Sequence, residues 1–490
     1  MSKKIFLFLI IILLTINYSF IVLPIDTLPR ENYVIDYLVN SPKYIINNEY
    51  QEYFYTELEM GTPFQKIPLI IKTESSYFII TSINSIENDK SFQYRDIFNF
   101  SESLFNDNNY KFYNENKSVS YILNNCDYPK VYQAVEYFNS NETFLFYNDI
   151  KFKNKTKGEK VYFELMRNVE DNITGEIGLN LYDRNRWSFN SFINIMKTRS
   201  FIDNYNWFFD FDSFENKKGK IIVGALPHEI YPDNYHFDDL MYAPSISQNF
   251  VIYWRMEFDK IYIKINNNKN NILYFNDTTI EFKFDSNVII GTLEYENYIV
   301  NIFGKFLKEE KCFHENISDY KSYINRLKFF YCKNDNKIKK ELYSLLPNLY
   351  FYSHEFNYTF EIKNDDLFII KNEYIYYKVL FGTNNDNKWY LGKPMTLKYK
   401  FIFNPETKQI GFYNKYYSPK GNKKDNYIIV KIIVIIALSI LLIFLGIKIG
   451  KMIYGMKRKK RANELDDNYD YMSDEKEQKK DIDIEVGINH

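Results

Sequence analysis

The sequence predicts a mainly β chain, tethered to a membrane by a single helix near its C-terminus. Three observations carry this. Short runs rich in Ile, Val, Tyr, Phe and Thr recur through the first 420 residues, separated by Asn, Asp, Gly and Lys, which is how strands punctuated by turns read. A purely apolar run follows two lysines at the N-terminus, and a second, longer apolar run near the C-terminus is followed by a basic cluster. The 490 residues carry 62 Lys+Arg against 63 Asp+Glu, a net charge of −1, so nothing in the overall balance points to a nucleic-acid partner.

The elements follow in chain order. Lys3-Lys4 and the run Ile5–Leu14 form the n- and h-regions of a secretory signal covering residues 1–23, with cleavage between Asn17 and Leu23. Residues 24–50 form a short pro-like segment without a basic cluster. Strand-like runs lie at 53–60, 67–72, 77–81, 221–224, 254–265, 278–284 and 397–404. One stretch, 191–199, has helical spacing, with apolar residues at 192, 193, 195 and 196. Residues 418–426 read as a charged linker. The 21 residues 427–447 would span about 31 Å as a helix, matching the hydrocarbon thickness, with Lys431 snorkelling to the outer interface. Lys448, Lys451 and residues 457–461 then place the following side in the cytoplasm, which makes the chain a single-pass type I membrane protein of the secretory system or plasma membrane. The tail, 448–490, turns from basic to acidic and reads as disordered, and Tyr469-Asp470-Tyr471-Met472 fits a signal for sorting machinery. Sequons at Asn99, Asn116, Asn141, Asn154, Asn172, Asn276, Asn316 and Asn357 all fall on the lumenal side, as a glycoprotein requires. Three Cys and five scattered His, with no HExxH pair, leave no metal site or cofactor to expect. The 19% aromatic content goes with inflated Asn, Ile and Lys, so it reads as compositional drift rather than a stacking surface.

From Tyr53 the sequence becomes specific. Tyr53 to Lys66, with Gly61-Thr62-Pro63-Phe64-Gln65, resembles the first strand and turn of the pepsin-like aspartic proteases. Gly175-Glu176-Ile177-Gly178-Leu179 is similar to that family's G-I-L-G-L, and Lys220–Gly224 with Tyr235 to its E-L-I-F-G-G…Y strand. Tyr253-Trp254…Phe258-Asp259, Trp389-Tyr390-Leu391-Gly392 and Phe401–Asn404 with Ile410-Gly411-Phe412 resemble YWQ…FD, WILG and VFD…VGF. The resemblance runs from Tyr53 to Tyr413. It implies a bilobal pepsin-like fold with a central cleft, lobes at 51–204 and 205–417, and a second-lobe disulfide between Cys312 and Cys332. Cys126 is left over.

In that family each lobe brings one Asp, in a D-T/S-G motif, to the cleft floor. Two carboxylates about 3 Å apart share a proton, so one activates water while the other donates to the peptide carbonyl. Here the first motif reads Lys72-Thr73-Glu74-Ser75-Ser76, with Lys72 in place of the acid and Glu74 in place of the Gly. The second is matched to Asp285-Ser286-Asn287, keeping Asp285 and replacing the Gly by Asn287. Lys72 facing Asp285 is expected to form an ion pair, the reverse of the coupling that catalysis needs. Tyr137 falls at the flap tyrosine, and Ile79 replaces that tyrosine's Trp partner. With Thr73 and Ser286, Tyr137 completes the expected substrate-binding set. The resulting expectation is a pseudoprotease whose cleft binds a peptide or protein. An active endopeptidase with an altered site and a structural surface glycoprotein are the alternatives.

Overall fold

The computed structural model describes residues 19–29, 41–50, 52–82, 113–124, 130–132, 135–156, 158–167, 175–181, 191–211, 218–246, 254–265, 272–276, 278–284, 286–319, 322–382, 388–414, 446–451 and 453–454. The signal region before residue 19 and the apolar run 427–445 lie outside them. Among the described residues no helix is long and apolar enough to cross a membrane. Residues 446–451 are helical and exposed.

Between residues 19 and 414 the described residues form three sheets of fourteen, nine and four strands. The nine- and four-stranded sheets belong to the second lobe. The fourteen-stranded sheet begins at Leu240–Pro244 and passes through Gln409–Tyr413, Phe401–Asn404, Trp207–Phe211 and Gly219–Val223. It then crosses Ile21–Pro29 into Glu52–Met60, Gln65–Lys72, Gly175–Gly178, Phe78–Thr81, Glu159–Arg167 and Val135–Leu145. Ile21–Pro29 is the hinge of this arrangement. Its first half pairs antiparallel with Gly219–Val223 and its second half with Glu52–Met60. Ile21, Val22 and Leu23 are buried there, so cleavage at the late end of the expected window, after Leu23, would strip three buried side chains from the sheet.

Many of the phenylalanines and three of the four tryptophans lie in the core. Trp207 stacks on Phe403 at 4.5 Å and meets Trp254 edge-on at 5.7 Å, while Phe284 packs against Trp207, Phe209 and Phe403. Offset and edge contacts of this kind contribute beyond their buried area. Trp254 of this cluster also donates its indole N–H to the Thr73 carbonyl.

Helix is more abundant than the sequence reading allowed. Phe192–Thr198, capped by the Ser191 hydroxyl, answers to the expected stretch. Leu293–Lys308 and Asn336–Leu345 are helices too, although residues 293–308 carry a 3.6-residue apolar spacing within an aromatic run. Pro42–Tyr50, inside the expected pro-like segment, is a third. It packs Ile45, Ile46 and Tyr50 onto a second-lobe cluster that includes Val288, Ile290, Phe329 and Leu380.

Candidate active site

The first-lobe site loop leaves the Gln65–Lys72 strand, which pairs in parallel with Gly175–Gly178 in the register Ile70↔Glu176, Ile71↔Ile177 and Lys72↔Gly178. Gly178 sits where a side chain cannot. A Cβ there would lie 2.4 Å from the Ser75 carbonyl oxygen, so the loop is pressed onto the glycine. The Leu179 N–H donates to the Lys72 carbonyl at 2.9 Å, the Asn180 N–H to the Ser75 carbonyl at 2.9 Å, and the Tyr77 N–H to the Ser75 hydroxyl at 3.1 Å.

Strand alternation puts Ile71, Ile177 and Phe78 into the core and Ile70, Lys72, Glu176 and Ile79 on the other face. Glu164 joins that face, opposite Ile79 from the next strand. The Lys72 ammonium lies 2.5 Å from the Glu176 carboxylate, with the lysine 40% exposed and the glutamate 8%. Nothing in the sequence reading gave Lys72 this partner. The signal was visible nonetheless, as a Glu standing where the family's G-I-L-G-L is apolar.

The second-lobe loop is built the same way. Thr279–Phe282 pairs in parallel with Trp389–Leu391 in the register Ile280↔Trp389, Glu281↔Tyr390 and Phe282↔Leu391. A Cβ on Gly392 would lie 2.3 Å from the Ser286 carbonyl oxygen, as one on Gly178 would crowd Ser75. The Val288 N–H donates to the Ser286 hydroxyl at 3.3 Å, matching Tyr77 on Ser75. The indole N–H of Trp254 donates to the Thr73 carbonyl at 3.1 Å and the Phe282 N–H to the Trp254 carbonyl at 2.9 Å, which ties the two loops together.

Of the expected site residues, Thr73 and Ser286 are both buried beside these contacts. Tyr137 lies in the Val135–Leu145 strand, which forms hairpins with Lys130–Tyr132 and with Glu159–Arg167. Asp285, and with it the expected Lys72–Asp285 pair, lies outside the described residues, as do Cys126, Asn99 and Asn172. Cys312 and Cys332 are joined in a disulfide and face each other across a hairpin.

A further set of contacts comes from the Pro42–Tyr50 helix. Glu49, 2% exposed, accepts from the Asn287 side-chain amide and pairs with Lys371 at 2.6 Å, and its backbone carbonyl accepts from the Asn287 N–H at 2.7 Å. Lys283 donates to the Tyr50 hydroxyl at 2.7 Å and lies 3.9 Å from the centre of the same ring. Among the described residues no group of His, Cys, Asp and Glu is placed to hold a metal ion.

Two β lobes, a matched pair of glycine-pinned loops and a disulfide-closed second-lobe hairpin together describe an aspartic peptidase architecture. The family model for eukaryotic aspartyl proteases matches residues 52–415, and the chain belongs to that family. No curated protein matches it.

Proposed function

We propose that this chain is a catalytically silent member of its family, a type I membrane glycoprotein whose cleft serves as a groove for a peptide or protein segment. The observation that carries this reading is the Lys72–Glu176 ion pair at the first acid position. Aspartic peptidase chemistry needs two carboxylates sharing one proton around a water molecule. An ammonium at one of those positions cannot act as the base. It also favours the ionised form of any neighbouring carboxylate, whereas the general acid must stay protonated. Glu176 does not replace the missing acid while it is committed to Lys72.

Binding of a pepstatin-type inhibitor tests the reading, because its central hydroxyl normally lies between two carboxylates. Calorimetry on the purified full chain at pH 4 should show no binding in the micromolar range. Submicromolar binding would mean that a second carboxylate serves the site, and the active-endopeptidase reading would replace this one.

A further inference from the structure

The two loops can be superposed by register alone. Lys72 follows Ile71, which faces Ile177, and Phe78 also faces Ile177 from the returning strand. In the second lobe Lys283 follows Phe282, which faces Leu391, and Ile289 also faces Leu391. Phe78 lies six positions after Lys72, and Ile289 six positions after Lys283. The internal marks agree: Ser75 and Ser286 each lie against a strand-end glycine, and each accepts from the N–H two residues on.

We infer that Lys283, rather than Asp285, is the second-lobe counterpart of Lys72, so that both acid positions of the cleft are lysine. The side-chain pattern supports this independently. Phe282 and Phe284 are buried and Lys283 is half-buried, so alternation gives Lys283 the face that Lys72 has in the first lobe. The Trp254 bridge brings the Lys72–Thr73 and Phe282–Lys283 ends together.

Each lysine has its own resident partner. Lys72 has Glu176 from its own lobe, whereas Lys283 has Tyr50 from the Pro42–Tyr50 helix, which begins ahead of the matched family region. Glu49, clamped by Asn287 and Lys371, holds that helix against the second site. The second acid position is therefore capped from within the chain. This extends the silent-site reading, which rests on Lys72 alone, and it implies that Lys72→Asp by itself cannot rebuild a carboxylate dyad.

Double-cysteine bridging tests the assignment in the full chain with Cys126→Ser as background. Lys72→Cys/Lys283→Cys should be bridged by a short bis-bromomethyl thiol reagent at least about tenfold faster than Lys72→Cys/Asp285→Cys. Faster bridging of the 72/285 pair, equal rates, or bridging of neither would overturn it. A second readout needs no variant at the acid positions. Amine acetylation followed by mass spectrometry should find Lys283 several-fold slower than Lys72, and Tyr50→Phe should narrow that gap. Equal reactivity in the unmodified chain would also overturn it. Neither readout depends on whether the groove binds anything, so the silent-site reading can fail separately.

Discussion

Replacing Glu49 by Ala should release the Pro42–Tyr50 helix from the second lobe while leaving the sheets intact. The substitution removes the Asn287 amide contact and the Lys371 ion pair but keeps the main-chain bond from the Asn287 N–H to the residue-49 carbonyl. Hydrogen bonds to charged groups contribute roughly 1.5–3 kcal/mol each. Breaking a fully buried pair costs about 3–5 kcal/mol, mostly through the charge left behind. Lys371 is 41% exposed and regains water, so the cost falls towards the low end, at about 2–3 kcal/mol. At about 1.4 kcal/mol per tenfold, that corresponds to exchange of the 42–50 amides accelerating about 30- to 140-fold. Glu49→Gln, which keeps the Asn287 contact and loses the ion pair, should fall between. Hydrogen exchange with mass spectrometry on the full chain reads this directly, with the Leu293–Lys308 helix as internal control. Exchange of 42–50 in the unmodified chain as fast as in an unstructured peptide would refute the reasoning, and so would an unchanged rate in Glu49→Ala.

Other outcomes follow from the same contacts. Cys332→Ser opens a 20-residue loop and should cost roughly 3 kcal/mol, seen as a lower denaturant midpoint by tryptophan fluorescence; an unchanged midpoint would mean the bridge adds nothing. Burial holds the His228 imidazole below its ordinary 6.5, with its Nδ1 2.6 Å from the Tyr413 hydroxyl. Between the folded and unfolded pKa values the unfolded chain binds more protons, so this contribution is present above about 6.5 and lost as pH falls through the folded value. His228→Gln should therefore flatten the stability–pH curve just below pH 6.5, and an unaltered slope would count against that assignment. Asn116, Asn154, Asn276, Asn316 and Asn357 are exposed, whereas the Asn141 amide donates to Asn124 at 2.8 Å and its carbonyl oxygen is buried. Glycopeptide mapping after secretory expression should find Asn141 empty, and full occupancy there would contradict the packing.

Much of the scaffold was legible because strands announce themselves locally. The runs at 53–60, 67–72 and 77–81 fall on strands at Glu52–Met60, Gln65–Lys72 and Phe78–Thr81, and alternation already separates Ile71 from Lys72. Cys312 and Cys332 were legible only through the family resemblance. The Pro42–Tyr50 helix was not legible, since PKYIINNEY has little helical periodicity and owes its place to Tyr50, Ile46 and Glu49 meeting residues more than 230 positions away. The second site misled for a different reason. Asp285-Ser286 matches the family motif locally, whereas the spacing to Ile289 and the pairing with Leu391 decide the register, and pairing is invisible in a single strand. Glu176 is visible in the sequence as part of a motif, but only the parallel register with Ile70 brings it beside Lys72.

The central claim is catalytic silence, and peptide-library hydrolysis from pH 3 to 7 addresses it most directly. The full chain should cleave nothing above the rate of a Lys72→Ala/Lys283→Ala control. Cleavage that disappears in that control would show that the altered site still runs acid–base chemistry, and the pseudoprotease account would be wrong.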